Sequence, residues 1–225
     1  MVLRNGVLEH YVYRLRRFLV HATFATLCVL AASGALAQEK VVLAFGDSLT
    51  AGYQLDPGQG FAPQLERALQ AEGLDARVIN AGVSGDTSAR GRARLDWTLD
   101  NLDVQPDLAI VELGANDLLR GLPPQETLRN LNAIIETLTA RGIDVLLTGM
   151  VAPPQIGEQA QRYYNAIFPF LANRHEIGLY PFFMRGVALR PHLLLDDGLH
   201  PNPRGVSVVV AGIAPQVIAA LNEAS

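Results

Sequence analysis

The sequence predicts an α/β protein in which helices cover both faces of a parallel β-sheet. Short apolar runs rich in β-branched residues recur along the chain, and their nearly unbroken hydrophobicity is typical of strands buried on both faces. Longer stretches with apolar residues at helical spacing separate these runs, which is typical of a parallel sheet. The chain has 225 residues, 49% hydrophobic and 18% charged, so we expect one globular domain.

Five segments are predicted to be strands. They are residues 41–45, 76–80, 108–113, 145–148 and 179–183. Each is short and largely apolar, as a strand covered on both faces should be. Pro181 lies within the fifth segment and disfavours a strand there, because proline cannot donate a hydrogen bond to a neighbouring strand.

Five longer segments between and after the strands are predicted to be helices. They are residues 63–70, 88–101, 124–141, 159–173 and 205–221. The first stops before Gly73, and the second carries Leu95 and Leu99 on one face. The third starts at Pro124 and ends at Gly142, which are favoured residues at helix starts and ends.

Residues 1–37 have the pattern of a secretory signal peptide. An arginine-rich stretch ending at Arg17 precedes an apolar run over residues 18–32, and the sequence Ala-Leu-Ala closes the segment at residues 35–37. A membrane anchor is the alternative, although the run falls short of the roughly 20 apolar residues that a span needs. We therefore expect cleavage near Ala37, a domain over residues 38–225, and a periplasmic or secreted protein without stable membrane insertion.

Charge and cysteine usage exclude several classes of protein. The chain has 18 Lys+Arg against 22 Asp+Glu, which argues against a nucleic-acid partner. Cys28 is the single cysteine and lies in the signal segment, so disulfide frameworks and cysteine-rich zinc sites are excluded. A domain without thiols fits an oxidising compartment. Oligomeric state leaves no signature in this sequence.

Polar, glycine-bearing segments follow the predicted strands. They cover residues 46–53, 81–87 and 114–117, and a fourth lies late in the chain at residues 196–202. In open α/β sheets the functional site lies beyond the carboxyl ends of the strands. We therefore expect these four segments to meet at one edge of the sheet.

These segments contain residue types suited to nucleophilic catalysis. Ser48 lies at a strand-to-helix turn, and a serine nucleophile needs a base that is itself oriented by an acid. Asp197 and His200 are three residues apart, so one turn of chain can bring the carboxylate to the imidazole. The backbone amides of Ser48 and Gly85 and the side chain of Asn116 are candidate donors to a developing oxyanion.

Four of these blocks resemble the SGNH, or GDSL, hydrolase superfamily and occur in its order. They are Gly-Asp-Ser-Leu at 46–49, the glycine of Ser-Gly-Asp-Thr at Gly85, Gly-x-Asn-Asp at 114–117 and Asp-x-x-His at 197–200. Their flanks are similar to the bacterial thioesterase, lysophospholipase and arylesterase branch. The flanking segments are residues 80–88, 111–121, 181–184 and 196–202. The resemblance extends over nearly the whole chain after the signal segment.

The resemblance implies a fold and a set of roles. The fold is a flavodoxin-like three-layer α/β/α sandwich around a parallel sheet of about five strands. The nucleophile falls on Ser48, the acid on Asp197 and the base on His200. The oxyanion donors fall on the Ser48 amide, the Gly85 amide and the Asn116 side chain. No metal or cofactor is implied, and the substrate is a small-molecule acyl ester: an aryl ester, a lysophospholipid or an acyl thioester.

Three other functions stay open. A carbohydrate O-acetyl esterase would use the same chemistry on a small acyl group, and a binding module would keep the fold without turnover. A metal-dependent phosphohydrolase would use Asp47, Asp197 and His200 as ligands. The apolar, proline-rich segments 118–124 and 150–157 favour an acyl chain or aromatic ring over a sugar.

Neighbouring polar residues have simpler interpretations. Ser48 could be only a helix N-cap, Asp47 is expected to brace its turn, and Asp117 is expected to stabilise its loop. Asp196 is an alternative acid. Arg94, with the arginines at the neighbouring even positions, is expected on a solvated helix face.

Overall fold

A computed structural model describes residues 39–223 of the protein. The predicted signal peptide, including Cys28, lies outside the described residues, as do residues 224–225.

The described residues form a five-stranded sheet in which all neighbouring strands are parallel. The strands are β1 (Lys40–Gly46), β2 (Ala76–Gly82), β3 (Leu108–Glu112), β4 (Asp144–Thr148) and β5 (Gly178–Tyr180). Their order is β2-β1-β3-β4-β5, so the chain reverses its direction of progress across the sheet between β1 and β3. This is the flavodoxin-like order, and such a switch point is where α/β proteins place their sites.

Seven α-helices accompany these strands within residues 39–223. They are α1 (Ser48–Ala51), α2 (Phe61–Ala71), α3 (Ser88–Asp100), α4 (Ala115–Leu119), α5 (Pro124–Ala140), α6 (Glu158–His175) and α7 (Pro203–Glu223). The five long helices agree with the predicted segments to within two residues at each end. The single-turn helix α4 is not predicted, and the strand-to-helix turn at Ser48 is predicted without the extent of α1, because four or five residues carry too little periodicity to be recognised.

Two hydrophobic cores lie on opposite faces of the sheet. Val42 and Ala44 of β1 belong to the core shared with α2 and α7, whereas Leu43 and Phe45 belong to the core shared with α3, α5 and α6. Successive residues of a strand point to opposite faces, so one apolar run supplies both cores. The predicted three-layer α/β/α sandwich is therefore confirmed.

The fifth strand is shorter than predicted. The sequence predicts a strand over 179–183, but β5 ends at Tyr180, directly before Pro181. Beyond that proline the chain turns, and the Phe183 amide donates back to the Gly149 carbonyl at 2.9 Å. The prediction is wrong here because proline cannot continue the ladder, although Phe183 is buried as a strand residue would be.

Helix α7 is long and apolar, with a mean hydropathy of 1.7 over its most apolar window. Among the described residues it is the one helix whose length and composition would suit a membrane span. Its side chains Val206, Val209, Ile213 and Val217 are buried in the core shared with α2. The apolar composition of α7 is therefore accounted for by packing within the fold.

Candidate active site

Ser48 lies in a tight turn that joins β1 to α1. Asp47 is the N-cap of α1, and its Oδ1 accepts a hydrogen bond from the Leu49 amide at 3.0 Å. A Cβ atom at Gly46 would lie 2.7 Å from the Glu112 carbonyl oxygen, so the turn requires glycine at this close approach to β3. Ser48 thus lies just beyond the carboxyl end of β1, where the chain leaves the sheet.

Three side chains form a continuous chain of hydrogen bonds. His200 Nε2 lies 2.8 Å from Ser48 Oγ, and His200 Nδ1 lies 2.6 Å from Asp197 Oδ2. Asp197 Oδ1 accepts from the backbone amides of His200 at 3.0 Å and Leu199 at 2.9 Å. These amide bonds, followed by the imidazole contact, lower the pKa of Asp197 to about 2. The carboxylate is therefore ionised at neutral pH.

The loop that carries His200 is fixed by backbone and ring contacts. The Leu195 amide donates to the His200 carbonyl at 2.8 Å, and Leu194 and Pro201 form an antiparallel bridge. The Tyr53 ring, which follows α1, lies against the imidazole with ring centroids 4.4 Å apart. Tyr53 therefore helps to orient the imidazole, a role that sequence reasoning missed because nothing in the spacing connects it to His200.

Asn116 reaches the same site from the first turn of α4. Its Nδ2 donates to Asp47 Oδ2 at 2.8 Å. An amide NH₂ group has two hydrogens, so one is held by Asp47 and the other can serve a further acceptor. Asp47 is almost fully buried, and this burial raises the pKa of its carboxyl group, opposed by the hydrogen bond from the Leu49 amide. Asp47 braces the turn, as expected.

Gly85 lies in the loop that follows β2, the strand next to β1. It has a φ of +81°, a conformation that favours glycine. Its carbonyl accepts a hydrogen bond from Arg120 Nη2 at 2.7 Å, and the Asp86 amide donates to the Val83 carbonyl at 3.1 Å. The structure thus connects Ser48 to Asp197 through His200, connects Asn116 to the Ser48 turn through Asp47, and brings Gly85 to the same edge of the sheet.

A buried carboxyl group that the sequence analysis overlooked lies beneath the turn that carries Ser48. Glu112, the last residue of β3, accepts hydrogen bonds at Oε2 from Thr50 Oγ1 at 2.9 Å and from the Asp47 amide at 3.3 Å. Burial, and then the charge of Asp47, raise the pKa of Glu112 well above its ordinary value. The available signal was an acidic residue ending an otherwise apolar strand.

Arg94 departs from its predicted environment. Its Nε donates to Asp86 Oδ2 at 2.6 Å and its Nη2 to the Gly46 carbonyl at 3.0 Å, and the guanidinium lies 4.1 Å from the Phe45 ring centroid. The prediction of a solvated face is wrong for this residue, because Arg94 lies beside the buried stripe of α3 next to Leu95. It is right for Arg90, which is exposed.

Asp117 stabilises its loop, as predicted. The buried carboxylate accepts from the Ser88 amide at 2.8 Å, from Ser88 Oγ at 2.5 Å and from Thr127 Oγ1 at 3.0 Å. These bonds fix the start of α4 against α3 and α5, and hence the position of the neighbouring Asn116.

The described residues offer little support for the metal-dependent alternative. Within residues 39–223 no group of three His, Cys, Asp or Glu side chains is arranged to hold an ion. Asp47, one of the ligands in the metal alternative, already accepts from the Leu49 amide and from Asn116.

Comparisons with known proteins match the chain to one family. Residues 44–208 match the profile of the GDSL-like Lipase/Acylhydrolase family. The chain is 39% identical over 191 residues to an arylesterase of Vibrio mimicus, covering 85% of this chain and 93% of the relative. It is 36% identical over 205 residues to thioesterase 1/protease 1/lysophospholipase L1 of Escherichia coli, covering 91% and 95%.

Solved structures extend the agreement to the fold. The SGNH-hydrolase family esterase AlinE4 is 49% identical, with a TM-score of 0.71, and the match covers 83% of this chain and 98% of that one. The psychrotrophic esterase EstA from Pseudoalteromonas sp. is 31% identical, with a TM-score of 0.76, covering 81% and 99%. On its sequence, its sheet order and these matches, the chain belongs to the GDSL-like lipase/acylhydrolase family.

Proposed function

We propose that the protein is a serine esterase that hydrolyses small-molecule carboxylic esters through an acyl-Ser48 intermediate. The observation that carries the proposal is the unbroken chain of contacts from Ser48 Oγ through His200 to Asp197, at 2.8 and 2.6 Å. A nucleophile, a base and an acid within hydrogen-bond distance are what acyl transfer requires. The family and the esterases named among the relatives support the same activity.

Acylation begins at Ser48. As Ser48 Oγ attacks the ester carbonyl carbon, its proton passes to His200 Nε2. The imidazole must then carry its other hydrogen on Nδ1, where the ionised Asp197 accepts it and stabilises the imidazolium that forms. His200 next gives the proton to the leaving alcohol oxygen as the bond between that oxygen and the acyl carbon breaks.

The carbonyl oxygen of the ester becomes negatively charged in the tetrahedral intermediate. The amides of Ser48 and Gly85 and the second amide hydrogen of Asn116 are the proposed donors to this oxygen. Asp47 holds the first hydrogen of Asn116 at 2.8 Å, so the direction of the second is set before substrate binds. Donors fixed in advance lower the barrier because they need not reorganise during the reaction.

Deacylation repeats these steps with water. His200 Nε2 takes a proton from the attacking water, the tetrahedral intermediate forms again, and its collapse returns Ser48 Oγ with a proton from His200. The products are the carboxylic acid and the regenerated serine.

We expect the enzyme to prefer esters that carry an apolar acyl or aryl group. Three exposed apolar side chains follow the strands at this edge: Leu119 ends α4, Val151 lies in the loop after β4, and Leu199 lies in the loop that carries His200. Exposed apolar side chains grouped at one edge are typical of binding surfaces for apolar ligands. Aryl esters, lysophospholipids and acyl thioesters all carry such groups.

The test is hydrolysis of p-nitrophenyl esters from acetyl to palmitoyl by residues 38–225, with and without EDTA. We expect turnover that survives EDTA, and a fall in kcat by a factor of about 10⁴ or more in Ser48→Ala. Ser84→Ala is the matched control, because Ser84 is an exposed serine in the neighbouring Gly85 loop.

Three outcomes would contradict the proposal or redirect it. Turnover that EDTA abolishes and that persists in Ser48→Ala would favour a metal site. No activity on any ester would favour a binding module. A strong preference for acetyl esters would favour an O-acetyl esterase of the same family.

We also propose that residues 1–37 direct export and are removed near Ala37. The arginine-rich start, the apolar run and the Ala-Leu-Ala ending support this proposal. Expression of the full chain in a bacterium should give a periplasmic protein whose measured mass corresponds to cleavage near Ala37. Recovery of the uncleaved chain in the membrane fraction would instead favour an anchor.

A further inference from the structure

Arg120 joins two segments that carry proposed oxyanion donors, the loop of Gly85 and helix α4. Its Nη2 donates to the Gly85 carbonyl at 2.7 Å. Its own amide donates to the Asn116 carbonyl at 3.1 Å, because Arg120 is the C-cap of α4 and Asn116 lies in the first turn of that helix. One residue is therefore bonded to Gly85 through its side chain and to Asn116 through its backbone.

The Gly85 segment needs such external support. Glycine has wide conformational freedom, and Gly85 adopts a φ of +81° in a loop. From the protein interior, Arg94 holds the next residue, Asp86, at 2.6 Å. From the solvent side, the exposed Arg120 holds the Gly85 carbonyl. One arginine therefore holds the carbonyl of the peptide between Gly85 and Asp86, and the other holds the Asp86 side chain that follows it.

We propose that Arg120 is a positioning residue that fixes the Gly85 amide relative to the Asn116 side chain. The inference rests on the proposed esterase function, in which both groups bind the oxyanion. The Gly85 amide and carbonyl belong to consecutive peptide planes that meet at its Cα atom, so a bond that holds the carbonyl plane restrains the φ and ψ angles through which the amide could turn. Because that bond links Gly85 to α4, the spacing between the two donors is set by Arg120.

The role predicts an effect on kcat rather than on KM. Contacts with the oxyanion exist in the transition state and not in the ester ground state, so poorly placed donors slow the chemistry without weakening substrate binding. Loss of a whole oxyanion donor costs about 10²–10³ in kcat. Loosening one donor should cost less, so we expect a fall of roughly tenfold.

The test compares Arg120→Met and Arg120→Lys with wild type on p-nitrophenyl butyrate. Arg67→Met is the matched control, because Arg67 is also exposed and its Nη2 also donates to a glycine carbonyl, that of Gly58, at 2.8 Å. We expect kcat about tenfold lower in Arg120→Met with KM within about twofold, partial recovery in Arg120→Lys, and wild-type kinetics in Arg67→Met.

Several results would overturn the inference. An unchanged kcat in Arg120→Met, or an equal loss in Arg67→Met, would show that Arg120 has no special role. A higher KM with unchanged kcat would make Arg120 a substrate contact instead. If Arg120→Met does not fold, Arg120→Lys decides by the same kcat and KM criteria. A wild-type protein that hydrolyses no ester would overturn the proposed function as well, whereas an active wild type beside an unaffected Arg120→Met overturns the inference alone.

Discussion

Asn116 donates from Nδ2 to Oδ2 of Asp47 at 2.8 Å, and this bond ties the start of α4 to the turn that carries Ser48. The other oxygen of Asp47 accepts from the Leu49 amide at 3.0 Å within that turn. One buried carboxylate therefore sets the position of the Ser48 turn and of Asn116 together. In the proposed mechanism Asp47 is therefore a positioning residue for the Ser48 turn and for Asn116.

Replacing Asp47 by asparagine should lower both stability and activity. Both carboxylate oxygens accept hydrogen bonds, but an asparagine side chain has a single acceptor oxygen, so one donor is left facing an NH₂ group. A buried unsatisfied donor costs about 1–3 kcal/mol of unfolding free energy. In Asp47→Asn, the free energy of unfolding measured in urea and the kcat on p-nitrophenyl butyrate should both be lower than in wild type. Asp56→Asn, an exposed loop position, should change neither, and equal behaviour of the two variants would contradict the role of Asp47.

The contribution of Asp47 to kcat should act through Asn116. Asn116→Ala is expected to lower kcat by about 10²–10³, the cost of losing one oxyanion donor. In that background Asp47→Asn should cost little further activity, because the side chain that Asp47 orients is gone. A double-mutant cycle on kcat measures the coupling directly. Fully additive losses would mean that Asp47 acts on Ser48 by another route.

Motif spacing was enough to predict that Ser48, His200 and Asp197 come together, and hydrophobic patterning was enough to predict the architecture. The runs around Val42 and Val111 are buried on both faces, and this is why they are nearly continuous in hydrophobicity. Asp197 and His200 are three residues apart, so their contact is local and could be expected from the chain itself.

The supporting residues could not be predicted, because their contacts join distant segments. Arg94 bonds to the carbonyl of Gly46 across 48 residues, and Glu112 bonds to Thr50 across 62. In both cases the sequence allows the polar side chain to face either solvent or the protein interior. The packing of the strands and helices around it decides which of the two it faces. Arg120 and Tyr53 were missed for the same reason, since each contacts a loop brought near only by the fold.

The interaction of Asp197 with its loop should make stability depend on pH in the acid range. Its pKa is lowered from 3.8 to about 2, so the ionised group stabilises the fold above pH 3.8, and this contribution is lost as pH falls towards 2. At pH 5, Asp197→Asn should therefore have a lower Tm than wild type, and this difference in Tm should become smaller as the pH falls from 4 to 2. Asp196→Asn is the neighbouring control. A difference in Tm that is constant with pH would contradict the assignment.

Removing Arg94 should destabilise the protein far more than removing Arg90. Arg94 pairs with the buried Asp86 at 2.6 Å and is itself largely covered, whereas Arg90 lies 3.9 Å from the same carboxylate and is exposed. Breaking a buried pair from one side leaves an uncompensated charge and costs about 3–5 kcal/mol, while an exposed pair contributes about 0–1 kcal/mol. Denaturant unfolding of Arg94→Met and Arg90→Met compares the two. Similar losses would mean that Asp86 is paired equally well by either arginine.

The buried carboxyl of Glu112 should make the protein less stable as pH rises. Burial and the charge of Asp47 raise its folded-state pKa well above 4.5, so the stability linked to its protonated form is fully present below pH 4.5 and is lost as pH rises through the folded-state pKa. Glu112→Gln keeps an acceptor oxygen for Thr50 and cannot ionise.

We therefore expect the Tm of Glu112→Gln, relative to wild type, to increase steadily from pH 4 to pH 9 in thermal unfolding. Glu72→Gln, at an exposed position after α2, should show no such trend. A flat difference in Tm for Glu112→Gln would mean that the carboxyl group is ionised throughout this range. In that case the turn that carries Ser48 would rest on two adjacent buried negative charges, which burial strongly disfavours.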